Sequence, residues 1–386
     1  MHNHHQTDPH STKRLANAAA LLLIVGLSLS GCDIQQDRQG QTASDHLTLL
    51  NVSYDPTREL YWDLNQAFSR HWEETTGQRV AIRMSHGGSG SQAQAVIDGL
   101  QADVVTLALA HDVDLIAART GLLAADWRTR LPNASVPYTS TVTFLVRKGN
   151  PKQIRDWDDL VRPDVRVMTP NPKTSGVARL NYLALWGHAL RRELGPDFMD
   201  MLQDPAQQEA VLAAREQARA FVTAVYANVP ALDWAARCAT NSFLKSHIGD
   251  VLVNWENENL LSLHGAAQQD LEIVVPPFSV LAEPVVALID GNVGRDGKRE
   301  VVEAYLEFLY SEEGQDLVGR HFYRPAASSR AAETYRELFP QLEQFRIEDV
   351  FGGWDVVHRT HFAEGGVFDQ IDRNDRSRRP AGRGET

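Results

Sequence analysis

Four times along this 386-residue chain a mostly apolar run stops, a small or polar residue follows, and a helix-spaced pattern begins. The junctions are Ser53-Tyr54-Asp55, Gly88-Ser89-Gly90, Thr174-Ser175-Gly176 and Asp233-Trp234-Ala235-Ala236. No other feature restricts the fold as strongly. The second junction shows the logic. Val80-Ala81-Ile82 reads as a strand running into Ser85-His86-Gly87-Gly88-Ser89-Gly90. Ala93, Val96, Ile97 and Leu100 then recur at i, i+3, i+4 and i+7, one face of a helix. The glycines open backbone conformations closed to other residues, and Ser89 is placed to cap the helix. A loop of this kind presents free N–H groups at the positive end of a helix dipole, an anion site in outline. Alone it reads first as a flexible turn; the recurrence of the same grammar raises the anion reading.

The elements between the junctions alternate. Residues 47–53 form a short strand, and Asp55 before Pro56 reads as a helix N-cap with proline at the first helical position. Leu60, Leu64, Ala67, Phe68 and Trp72 continue one helix face, and 103–109 (DVVTLAL) is apolar enough for a strand covered on both sides. Strand, helix, strand, helix, strand is α/β architecture. Further strands are expected at 138–148, 165–168, 251–254 and 271–275. Helices are expected from Val177 to about 190, over the polar stretch 191–220, after Asp233 as cap, and at 299–309 and 311–318. The long runs 138–148 and 279–290 are candidate crossings between two lobes, near 137–141 and 279–284.

The ends stand apart. Lys13-Arg14 precede an apolar run, 15–29, too short to span a bilayer, so residues 1–31 read as a secretory signal. Residues 32–46 have almost nothing to bury and read as a flexible tether, and 370–386, with five arginines among Gly and Pro, as a disordered basic tail. The formal net charge of −12 argues against nucleic acid or an anionic membrane surface as partner. Any anion is therefore captured by local dipoles. Cys32 and Cys238, the two cysteines, lie in unlike contexts, which excludes a disulfide framework. No metal or cofactor is expected.

An enzyme reading fails at position 91. Gly87 to Ser91 would need glycine there to complete G-x-S-x-G, and Ser91 breaks the motif. No phosphate-binding G-x-x-x-x-G-K-[ST] loop exists either. What remains is a set of donors: helix-start N–H groups, the Ser89 and Ser175 hydroxyls, and the Trp255 indole, which can only donate. Such a set prefers an anion with no proton to give away. Asp55, the nearby carboxylate, is assigned to capping, and His86 to fixing its own loop.

These residues lie in long motifs: LLNVSYDPTRELY (49–61), SHGGSG (85–90), TVTFLVRKGNPKQI (141–154), TPNPKTSG (169–176), NWENE (254–258) and FGGWDVVHRTHFAEGGVFDQI (351–371). Through them the chain, from about residue 47 to 369, resembles the sulfate/thiosulfate-binding proteins of bacterial ABC importers. The resemblance implies a periplasmic binding protein-like type II fold of two α/β lobes, with lobe 1 at 47–138 plus 283–369 and lobe 2 at 139–282. It implies a monomer that holds sulfate in the cleft and hands it to membrane permease subunits. Carried over, the ligand positions are the Asp55 backbone N–H, Ser89, Ser175, Gly176, Val177, Ala236 and Trp255, with Arg237 supporting its helix start from behind. Val177 stands where the family usually has glycine, and Cys238 replaces a small residue. Leu29-Ser30-Gly31-Cys32 resembles the bacterial lipobox, which implies a lipid on Cys32 and, with Asp33 following, retention at the outer face of the inner membrane. Another oxyanion such as molybdate, or a tethered sensor, keeps the fold and changes the role.

Overall fold

The computed structural model describes residues 46–378 except 266, 267 and 296. The signal segment, Cys32 and almost all of the tether lie outside the described residues. The chain builds two sheets. The first holds β1 (His46–Tyr54), β2 (Arg79–Gly87), β3 (Val104–Leu107) and β10 (Val285–Leu288), in the order β10-β3-β1-β2. β1 is parallel to both β2 and β3, and β10 closes the edge antiparallel to β3. Every residue of β3 is buried, as its apolar run requires in a sheet covered on both faces.

The second sheet is organised on β4 (Tyr138–Arg147), with β5 (Val167–Pro170), β6 (Leu232–Asp233), β7 (Val251–Trp255), β8 (Leu271–Val274), β9 (Phe278–Ala282), β11 (Arg324–Pro325) and β12 (Glu343–Phe345). Its main path runs β12-β9-β4-β7-β5-β6, while β8 and β11 also pair with β4. The apolar run 279–290 proves to be two strands. β9 ladders with β4 (Ser140 opposite Ala282) and β10 with β3 (Val285 opposite Leu107). Glu283-Pro284 separates them; proline cannot donate to a ladder, so the chain changes sheets there.

Helices cover the sheets. α1 (Arg58–Thr76) buries Leu60, Leu64 and Phe68 and stops at Gly77, whose φ of +74° supplies the left-handed C-terminal turn. α2 (Ser89–Ile97) buries Ala93 and Val96, α3 is Ala110–Thr120, and α4 (Gly176–Leu194) is buried continuously through Leu190. The stretch expected as one helix from 191 to 220 is interrupted. α4 ends at Gly195, a short turn of helix follows at Phe198–Gln203, and α5 covers Gln208–Ala227. α6 is Ala236–Ser246.

Two expectations about the C-terminal region need correction. Residues 343–369 were assigned to the first lobe, but β12 runs parallel to β9, and the Tyr182 ring meets Phe362 at 5.3 Å and Phe368 at 5.7 Å. Lys173 binds Asp369 at 2.7 Å. The chain therefore returns to the second sheet. The basic tail also begins as helix, α7 (Val367–Arg378), because Phe368 and Ile371, three apart on one face, are buried. Residues 379–386 lie outside the described residues.

The returning segment carries an acid-sensitive group. His361 is buried, its Nδ1 lies 3.0 Å from the Tyr182 hydroxyl, and burial pushes the imidazole down to about 4. An unfolded histidine titrates near 6.5, so the unfolded chain binds more protons between these values and stability falls as pH drops through that window. Going from pH 7 to pH 5 is expected to cost about 2 kcal/mol from this residue. Urea unfolding of the parent and His361→Gln at both pH values checks it; an equal loss in the two chains would clear His361.

Candidate functional site

The four helix starts converge. A methyl group built on Gly88 would lie 2.3 Å from the Thr174 carbonyl oxygen and 3.4 Å from that of Trp234. One built on Gly176 would lie 3.0 Å from the Ser89 Cβ. The second, third and fourth junctions therefore touch, and the Thr174 hydroxyl donates to the Trp234 carbonyl at 2.6 Å. The first joins them through the Tyr54 ring, 5.6 Å from that of Trp255, and through Glu59, which binds Arg237 of α6. Asp55, Ser89, Ser175, Gly176, Val177, Ala236 and Trp255 are all buried.

Helices buried end-on need partners for their first N–H groups. Here α2, α6 and the single 3₁₀ turn Asp55–Thr57 receive no hydrogen bond from their capping residues Gly88, Ala235 and Tyr54. Ser175 alone caps, accepting from the Ala178 N–H at 3.4 Å, which leaves its hydroxyl hydrogen to donate elsewhere. Beside these ends lies the Trp255 indole, fully buried, its Nε1–H without a partner. An unpaired buried donor costs about 1–3 kcal/mol, and several converging donors without acceptors define where an acceptor belongs.

Three capping expectations are corrected. Asp55 does not cap its own helix; its carboxylate accepts from Arg58 Nε at 2.8 Å. Ser89 is the first helical residue and not the cap, its hydroxyl donates to Asp112 Oδ2 at 2.6 Å, and its Oγ accepts from the Ala108 N–H. The backbone N–H, not the hydroxyl, is what Ser89 has to offer. Asp233 lies in β6, two residues before the Ala235 cap, with Oδ2 buried and unpartnered.

Arg237 and Arg179, which lie near the helix starts, are both held by carboxylates. Arg237 is clamped between Glu59 (2.8 and 2.9 Å) and the buried Glu258 (2.7 Å). Burial raises the Glu258 carboxyl, while Arg237 pulls it back. Arg179 donates to the Pro172 carbonyl and binds buried Asp112 at 3.0 Å. His86 is kept from charging: burial, with the neighbouring Arg58 charge, lowers its imidazole to about 4, so it is neutral near pH 7. Among the described residues no three His, Cys, Asp or Glu side chains are set to hold a metal ion. The converging ends thus offer the Ser175 hydroxyl and the Trp255 indole as neutral side-chain donors.

A family model described as bacterial extracellular solute-binding protein matches residues 50–324. The chain belongs to that family. It is 52% identical over 329 residues to a sulfate-binding protein of Escherichia coli, covering 85% of this chain and 93% of that one. It is 42% identical over 359 residues to a thiosulfate-binding protein of Pseudomonas aeruginosa, covering 93% and 98%. Among solved structures it is similar to the sulfate-binding protein SubI of Mycobacterium tuberculosis, with a TM-score of 0.69 and 28% identity, covering 81% and 99%.

In this solute-binding protein the residues that neutralise the arginines escaped the sequence reading. Asp112 and Arg179 are 67 positions apart and share no motif, and Glu59 meets Arg237 across 178 positions. Glu258 stands inside NWENE, where the only hint was a second acidic residue behind Trp255.

Proposed function

We propose that this protein captures sulfate in a cleft between two lobes and delivers it to an ABC transporter permease. The observation that carries the reading is the buried, unpartnered Trp255 indole N–H beside helix ends that lack side-chain caps. The ligand positions are the backbone N–H groups of Asp55, Ser89, Gly176, Val177 and Ala236, the Ser175 hydroxyl and the Trp255 Nε1–H. The lobes divide near 138 and 283, with 343–371 docked on the second. Binding to one lobe, closure and burial of the ion follow in order. The names of the relatives from Escherichia coli and Mycobacterium tuberculosis support sulfate; the one from Pseudomonas aeruginosa supports thiosulfate as second ligand. The signal-like segment 1–31 supports a periplasmic location, with Cys32 as lipid anchor.

Each N–H bond to a charged oxygen is worth roughly 1.5–3 kcal/mol net, so six or so reach micromolar affinity or better after the cost of immobilising the ion. Calorimetric titration with sulfate, thiosulfate, molybdate and phosphate tests this directly; silence from every one of them would sink it. The pH profile is a sharper check. His86 is neutral above its value of about 4, both arginines stay paired, and sulfate keeps its two charges. Affinity for sulfate should stay flat, within about twofold, from pH 6.5 to 8.5. A steep slope there would mean that a titrating side chain touches the ligand.

A further inference from the structure

Outside the ligand cleft, α1 and the edge strand β2 enclose a groove of about 700 Å³ lined by Arg58, Trp62, Gln66, Arg70, Ile82 and Met84. Arg58, Trp62, Gln66 and Arg70 stand four apart, so they form one stripe along α1. Trp62 is 70% exposed, the highest value among the large exposed apolar side chains of the described residues. Ile82 and Met84, two apart on β2, give the groove an apolar wall. The ends of the stripe are cationic. Arg70 reaches only an exposed Glu313 at 3.8 Å, a contact worth little in water. The charged side chains that line the groove, Arg58 and Arg70, are both basic and no carboxylate lines it, on a chain whose net charge is −12.

The groove also touches the framework of the ligand site. Arg58 binds Asp55 at 2.7 Å, reaches the His86 carbonyl at 3.5 Å, and remains 45% exposed on the groove side. It ties the first helix start to the strand end that feeds the second.

We infer that this groove docks an acidic, apolar-flanked segment of the membrane permease, and that the docking carboxylate competes with Asp55 for Arg58. The inference rests on the delivery reading above. Exposed tryptophan and arginine are the residue types that dominate interface energies, and a basic rim selects an acidic partner. Drawing Arg58 away would release the Asp55 turn and the His86 loop from one another, loosening two of the helix starts that converge at the site. Docking would thereby weaken the hold on the ion at the moment of transfer.

The test uses Trp62→Ala and Arg70→Glu in the full chain, since neither residue belongs to the ligand site. Calorimetric sulfate affinity should stay within about twofold of the parent. Uptake of radiolabelled sulfate should fall at least tenfold in cells whose only copy is the variant, at equal protein level. Parent-level uptake in both variants would overturn the inference, as would loss of sulfate binding in either, which would place the groove inside the site. Sedimentation of the parent as a dimer that Trp62→Ala dissociates would make the groove a self-interface and overturn it too. Failure of the parent to bind sulfate would instead bring down the delivery reading, and this one with it.

Discussion

Gly88→Ala is expected to lower sulfate affinity on the order of a hundredfold while leaving the unliganded protein almost as stable as the parent. The backbone at Gly88, with φ −61° and ψ 136°, suits alanine, so the strain is not local. It arises because the new methyl group would meet the Thr174 carbonyl oxygen at 2.3 Å, well inside contact distance. The second and third helix starts can then no longer approach as they do here. Overpacking of this kind costs about 1–3 kcal/mol, and displacing a lip that carries several donors adds to it. Titration calorimetry and thermal melting of the two proteins without ligand decide the matter. An affinity equal to the parent's would mean that the lips need not meet for the ion to be held. A large drop in melting temperature without ligand would mean that the contact serves folding.

Trp255→Phe is expected to weaken sulfate binding by about ten- to a hundredfold. Phenylalanine keeps an aromatic ring against Tyr54 and deletes the N–H. A hydrogen bond to a charged oxygen contributes about 1.5–3 kcal/mol, and every 1.4 kcal/mol is tenfold in affinity. Because the indole N–H has no partner within the protein, its removal leaves no orphan behind, so the loss in the unliganded state is confined to packing. Affinity measured beside near-ultraviolet circular dichroism separates the effects. Unchanged affinity with unchanged spectra would remove Trp255 from the ligand set.

The α/β architecture, the change of sheet near 137–141 and again near 279–284, and the convergence of four helix starts were readable from residue types. Apolar runs and 3.6-residue spacing are local signals. Capping was read one or two residues off at Ser89 and Asp233. The cap is whichever residue keeps an extended backbone, and Gly88 and Ala235 do so here without any side-chain signature. Asp55 and Ser89 were drawn instead to tertiary partners, Arg58 and Asp112, which no local pattern announces. The C-terminal return was hidden for a related reason. Val367, Phe368 and Ile371 are the only apolar residues of a helix otherwise polar or charged, and Phe368 is buried against Tyr182 and Tyr226, far earlier in the chain. Helix starts were legible because small or polar residues mark them. The carboxylates that silence Arg179 and Arg237 were not, because pairing across 67 and 178 positions leaves no periodic trace.

The interleaving of the two sheets bears on how the chain acquires its shape. β3, buried along its whole length, waits for its outer neighbour β10 until residues 285–288 exist, and the other sheet waits for β12 at 343–345. A chain emerging N-terminus first therefore carries unfinished sheets through nearly all of its synthesis. Strands that pair across long sequence separations form slowly, and open edges invite pairing with other chains. Such a delay is a hazard for a protein that folds where it is made. For one threaded across a membrane before it folds the same delay is an advantage, since threading requires a chain not yet locked.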